Sequence, residues 1–309
     1  VKIGFVEVLL FVVLSLIWGS SFFFMKHGMY APSGEVVFTN QQVASLRMVI
    51  AGMALLPVAL YNIRKLRNLR VLTGVATVGI FGNFIPAFLF TFAQTGLISG
   101  YVGMLNSATP LFSVLIAFFI FRERLTLRQI IGLIIGNLGV IMLMSAHVGE
   151  AQFKGGWIHI SAVILATFLY GVSLNTIKFR LSEVKPLHIS SLAFLLISVP
   201  GWFCFFWFDT LSVFKSNPQA WSNMIYILAL SLLGTVLGVY LYAILIARST
   251  ALFASMVTFA MPIVSLFIGV LDGESFTKFQ ILSLLVICAG IIFANRKKSK
   301  LKIPLPHEA

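Results

Sequence analysis

The chain has 309 residues, 59% of them hydrophobic and 10% charged, with a mean hydropathy of +1.01. A soluble globular chain is about 45–50% apolar and about 25% charged. This composition therefore excludes a soluble enzyme, a disordered chain and a secreted disulfide scaffold, and leaves an all-α polytopic membrane protein. The formal charge is +13, from 22 Lys and Arg against 9 Asp and Glu. It reads as basic loops on the cytoplasmic face of a bilayer rather than a nucleic-acid surface, because no basic patch with interleaved aromatics lies outside the apolar runs.

A membrane-crossing helix needs about 20 mostly apolar residues. In chain order the qualifying runs are 5–24, 42–61, 72–94, 99–120, 127–145, 157–178, 187–207, 223–247, 251–271 and 279–295, ten in all. They are continuous rather than alternating, which argues for helices over strands. The first follows Lys2 and has no small-residue cleavage site behind it, so it is expected to be a retained helix. With the N-terminus placed in the cytoplasm, 17 Lys and Arg fall in inner segments and 4 in outer ones, with Arg47 alone inside a span. That asymmetry predicts cytoplasmic N- and C-termini. The basic tail from Arg296 to Lys302 is expected to rest on anionic lipid. Cys204 and Cys288 lie in apolar runs and read as small core hydrophobes.

The chain repeats itself. Trp18-Gly19-Ser20-Ser21 matches Tyr170-Gly171-Val172-Ser173, Lys26 matches Lys178 and Pro110 matches Pro262, each 152 residues on. Glu123, Thr126, Gln129 and Gly139 match Glu274, Thr277, Gln280 and Gly290 at an offset of 151. Residues 1–150 and 151–309 are thus expected to be two five-helix repeats in one integrated membrane domain. An odd number of crossings turns the second copy upside down, giving a 5+5 inverted repeat, an arrangement typical of secondary transporters with a midplane site.

The motifs that carry a family resemblance are Ile17-Trp18-Gly19-Ser20-Ser21-Phe22 and Leu46-Arg47-Met48-Val49-Ile50-Ala51-Gly52, with Ala108-Thr109-Pro110-Leu111-Phe112 leading to Arg122-Glu123-Arg124-Leu125-Thr126. Gly132, Gly136, Gly139, Val140 and Ile141 form the fourth. Over essentially its whole length the chain resembles the drug/metabolite transporter superfamily, EamA type. The second half departs from the pattern: Tyr170 replaces the Trp and no Arg falls in span seven. The resemblance implies an exporter of amino acids or related small metabolites in a bacterial inner membrane, not an enzyme. Its expected partners are a small-molecule substrate and membrane lipid, with no cofactor and no nucleic acid. The oligomeric state stays open, a monomer included. An exporter of lipophilic or cationic drugs is one alternative, and a membrane-embedded enzyme or lipid-handling subunit is another.

Polar residues gather near the middle of the spans. Ser15, Trp18 and Ser21 lie in the first, Asn83 in the third, Asn106 and Thr109 in the fourth. Thr167, Tyr170 and Asn175 lie in the sixth, Thr235 and Tyr240 in the eighth, and Thr258 in the ninth. Groups of this kind either line a cavity or join helices by hydrogen bonds. Candidates for substrate contact are Trp18, Ser21, Arg47, Asn83, Asn106, Thr109, Tyr170, Asn175, Tyr240 and Thr258. Pro110 and Pro262 free the carbonyls of Asn106 and Thr258, which can then shape the cavity or bind ligand. Arg47 either receives a substrate carboxylate or reaches out to the interface. Glu7 is the only carboxylate inside a span and either couples transport to protons or is an interfacial acid. The five His all fall in loops or at span ends, so no proton relay is evident. No phosphate loop and no HExxH occur, and Gly19-Ser20-Ser21 has no in-span His to act as base. The Gly132/Gly136 and Gly234/Gly238 pairs read as close-packing positions.

Overall fold

The computed structural model of the chain describes residues 3–97, 99–123, 126–145, 156–271 and 278–295. Lys2, Arg124, the 272–277 segment with Glu274 and Thr277, and the basic tail from Arg296 lie outside the described residues. Helix α1, Phe5–Met29, begins where Gly4 N–H donates to Glu7 Oε2 at 2.8 Å. After a turn closed by a single bridge between Tyr30 and Val36, α2 runs Asn40–Asn62. Its start is a reciprocal cap: Thr39 N–H donates to Gln42 Oε1, and Gln42 N–H to Thr39 Oγ1.

The third expected span is α3, Leu69–Gly79, a π-helical stretch Ile80–Phe84, and α4, Ile85–Gly96. The fourth is not one helix. It breaks at Ser107 and Ala108 into α5, Ser99–Asn106, and α6, Thr109–Phe119. Pro110 is the cause, since it has no N–H for Asn106 and is preorganised for the first turn of a new helix. There follow α7, Leu127–Ser145, α8, Gly156–Arg180, and α9, Pro186–Trp207. A short α10, Thr210–Ser216, precedes the eighth expected span, made of α11, Ala220–Ala229, a π-helical stretch Leu230–Leu237, and α12, Gly238–Arg248. The ninth also breaks, at Met256, between α13, Ala251–Ser255, and α14, Val257–Leu271. Last comes α15, Lys278–Asn295.

No strand occurs among the described residues. Among the described residues six helical stretches are long and apolar enough to cross a membrane: Phe5–Met29, Asn40–Arg67, Leu69–Gly96, Trp157–Arg180, Pro186–Trp207 and Ala220–Arg248. Shorter apolar stretches, Thr109–Phe119, Leu127–Gly139, Phe253–Ser265 and Ile281–Ala294, fall where four further spans were expected. The polarity is that of a protein solvated by lipid. Phe119 and Trp207, each 72% exposed, stand on the outside, while Asn106, Ser107, Asn175 and Ser231 are buried. A bilayer solvates apolar side chains and not backbone or amide groups, so the polar residues go inward. This is a multi-pass membrane protein.

The helices pair α2 with α9, α7 with α15, α1 with α14, and both α4 and α6 with α8. The α7–α15 contact is a close backbone approach through glycines. A Cβ on Gly290 would sit 2.5 Å from the Gly136 nitrogen and 2.8 Å from the Gly132 carbonyl oxygen, so any larger residue there forces the helices apart.

Candidate functional site

A cavity of about 100 Å³ lies between the helices, room for several waters or a small solute. Helix α1 contributes Trp18, Ser21, Phe22 and Met25, and α8 contributes Tyr170, Ser173, Leu174 and Ile177. Both sets have i, i+3, i+4, i+7 spacing, which is one face of an α-helix. Every member of the first set is 152 residues from its counterpart in the second. The relation extends to Gly82, Asn83 and Phe90 with Gly234, Thr235 and Tyr242, and to Asn106 and Thr109 with Thr258 and Met261. Among the described lining residues, Arg47, Met48, Val78 and Val239 have no such partner.

The paired residues also make paired contacts. Asn83 Nδ2 donates to the Val78 carbonyl at 3.1 Å and Thr235 Oγ1 to the Leu230 carbonyl at 3.2 Å, each five residues back. Both bonds sit in the π-helical stretches, where a wider turn leaves a carbonyl without its usual partner and the side chain supplies one. Two aromatic pairs flank the space. Tyr242 meets Trp18 edge-on with ring centroids 4.7 Å apart, and Phe90 stacks on Tyr170 at 5.5 Å. Trp18 Nε1 donates to the Gly234 carbonyl at 2.8 Å, which fixes its ring against the eighth span.

Arg47 lines the cavity from α2. Its Nη2 donates to Thr235 Oγ1 at 3.2 Å, and its Nε is buried with no hydrogen-bond partner. Its head group thus turns toward the cavity wall formed by the eighth span.

Of the residues singled out in the sequence, Trp18, Ser21, Arg47, Asn83, Asn106, Thr109, Tyr170 and Thr258 line this one space. Asn175 and Tyr240 do not. Asn175 Nδ2 donates to the Gly171 carbonyl at 2.8 Å and the Ser113 carbonyl at 2.9 Å, joining α8 to α6. Tyr240 shares the depth of the cavity but not its face, and Tyr242, on the Thr235 face, occupies the lining position instead. Helical spacing from Thr235 would have found it, as it would have found Ser173 from Tyr170.

Pro110 and Pro262 lie outside the lining. The carbonyls they free are already partnered. Thr109 Oγ1 donates to Asn106 O at 2.7 Å, and Ser107 Oγ donates to Thr258 O at 3.0 Å, tying the break in one half to the proline helix of the other. Glu7 is remote from the cavity: its Oε1 accepts from Arg248 Nε at 2.8 Å, joining the start of α1 to the end of α12. Lys178 Nζ reaches the same end of α12, donating to Ser249 O at 2.7 Å and Ile246 O at 3.3 Å. Among the described residues no group of three or more His, Cys, Asp and Glu is placed to hold a metal ion.

The family model described as "EamA-like transporter family" matches the chain over residues 5–145 and again over 157–296. An uncharacterized transporter of Archaeoglobus fulgidus is 25% identical over 283 residues, covering 91% of this chain and 95% of its own. A probable amino-acid metabolite efflux pump of Salmonella typhimurium is 25% identical over 302 residues, covering 94% and 93%. An uncharacterized inner membrane transporter of Escherichia coli, YedA, is 23% identical over 290 residues, covering 92% and 89%. One crystal structure superposes with a TM-score of 0.65 at 19% identity over 94% of this chain and 96% of that one, a likeness of fold.

Proposed function

The chain belongs to the EamA-like transporter family, and from that premise we propose that it is a secondary transporter exporting amino acids or related small metabolites by alternating access. In this reading ten spans form two inverted five-helix repeats, residues 1–150 and 151–309, in a bacterial inner membrane with both termini cytoplasmic. The observation that carries it is the cavity whose lining mostly pairs off at 152 residues, because inverted-repeat carriers place their site near the midplane between the two copies. The concentration of Lys and Arg on one side supports the orientation. The relative named as an amino-acid metabolite efflux pump supports the substrate class.

The rivals gain less support. A lipophilic cation is a poor occupant of a space that Arg47 lines and that no Asp or Glu lines among the described residues. A serine-nucleophile enzyme needs an activated hydroxyl, and the Ser21 hydroxyl instead donates to Ile17 O at 2.8 Å within its own helix.

The test is counterflow by the purified chain in vesicles loaded with a pooled metabolite library, with and without a pH gradient. Exchange of amino acids is expected. Turnover of a lipid with no solute moved overturns the carrier reading. Orientation is tested by single cysteines in a background lacking Cys204 and Cys288. A cysteine at Lys65 should label only from the cytoplasm and one at Lys215 only from outside.

A further inference from the structure

Among the described lining residues of the cavity, Arg47 is the one charged side chain. Its Nη2 meets only a neutral hydroxyl, that of Thr235, whose own hydrogen goes to the Leu230 carbonyl. Its Nε is buried without a partner. A cation whose task is to join helices uses its donors on helix-end carbonyls, as Lys178 does on Ser249 and Ile246. Nor is Arg47 a packing element that the duplication repeats. Val199 stands 152 residues further on, 71% exposed on the outside of the molecule.

A guanidinium stays protonated, and a buried charge without a counter-ion is strongly destabilising. Its planar fork matches a carboxylate, which accepts two parallel hydrogen bonds. A single cation balances one negative charge, which favours a monocarboxylate over a phosphate dianion. The ammonium of a zwitterion would meet no acidic group among the described lining residues. We infer that the cavity takes small anions bearing a single carboxylate, with that carboxylate on Arg47 and a neutral body between the Trp18–Tyr242 and Phe90–Tyr170 pairs. This rests on the carrier reading above and narrows its substrate class: zwitterions rank second and cations last.

The test uses four probes of one skeleton: 4-methyl-2-oxopentanoate, leucine, leucinamide and isoamylamine. Each is tried as a thermal protectant of the purified full chain and as a counterflow substrate. The oxo acid should protect best and move fastest, leucine should follow, and the two amines should do neither. Arg47→Gln should weaken protection by the oxo acid roughly tenfold or more, about the loss of a charge-assisted bond, and Arg47→Lys should weaken it less. The ranking on the unaltered chain decides the matter even if Arg47→Gln does not fold. Protection by the amines equal to that by the oxo acid, or by none of the four, overturns the inference. If pooled solutes move but carboxylates are not among them, the inference fails and the carrier reading stands. If the oxo acid protects and nothing moves, the inference stands and the carrier reading fails.

Discussion

Thr235 stands between Arg47 and its own helix: it accepts from the guanidinium at 3.2 Å and donates to the Leu230 carbonyl at 3.2 Å. One hydroxyl thus occupies the irregular turn and holds the cavity's charge in place. A hydrogen bond to a charged group contributes about 1.5–3 kcal/mol. Thr235→Val should therefore lower the thermal midpoint of the purified protein and raise the apparent KM for a carboxylate solute roughly tenfold. Thr235→Ser keeps the hydroxyl and should stay near wild type. Equal damage in both variants would mean that shape, not the hydroxyl, matters there.

The two glycine contacts across the pseudo-equivalent helices make a sharper test. A Cβ on Gly234 would meet Ser21 Oγ at 2.7 Å but Ser21 Cβ only at 3.7 Å. A Cβ on Gly82 would overlap Ser173 Oγ and lie 2.8 Å from Ser173 Cβ. Overpacking of this kind costs about 1–3 kcal/mol. Gly234→Ala should reduce folded protein, and adding Ser21→Ala should restore it. Gly82→Ala should not be rescued by Ser173→Ala and should need Ser173→Gly. Monodisperse yield on size-exclusion chromatography reads both cycles.

Tyr242 and Tyr240 separate face from depth. Tyr242→Ala removes the ring against Trp18 and a wall of the cavity, so counterflow should fall by roughly tenfold or more, the scale of an aromatic contact of about 0.5–1.5 kcal/mol plus the area it covers. Tyr240→Ala should leave the rate within about twofold, as for a change away from the site. The reverse order would place the substrate path on another side of the eighth span.

Glu7 is held at a helix end by Arg248, whose side chain is 51% exposed. The Glu7 side chain itself is 8% exposed, so solvent reaches the pair from the arginine side, and a Gln at this place keeps an oxygen for Arg248 Nε and the Gly4 N–H. Glu7→Gln should cost little stability and leave the response of transport to a pH gradient unchanged. Loss of that response would return Glu7 to the coupling role.

How far the sequence carries this molecule depends on what a position's neighbours are. Trp18, Asn83, Asn106 and Tyr170 were legible because a polar or amphipathic group deep in an apolar run has few places to go but inward, and they line one space. The sequence leaves Arg47 between two orientations, since one residue's depth does not reveal which way a long side chain turns. Asn175 and Tyr240 lie at the depth of the lining residues but on another face of their helices, and depth alone does not distinguish the two. The breaks before Thr109 and at Met256 followed from proline only in part. The partners of the freed carbonyls, Thr109 Oγ1 and Ser107 Oγ, depend on how two distant segments meet. The widened turns at Ile80–Phe84 and Leu230–Leu237 have no local signature, as the residue types in them also occur in regular helices.

Val199 in place of a second arginine has an electrical consequence. A carrier loaded with a monoanion on Arg47 is neutral across its moving part, whereas the unloaded form travels as a monocation. Voltage then acts on the empty return stroke alone. A full charge crossing 100 mV corresponds to about 2.3 kcal/mol, the upper bound for that stroke, and under the proposed export mechanism an interior-negative potential biases the vacant site toward the cytoplasm.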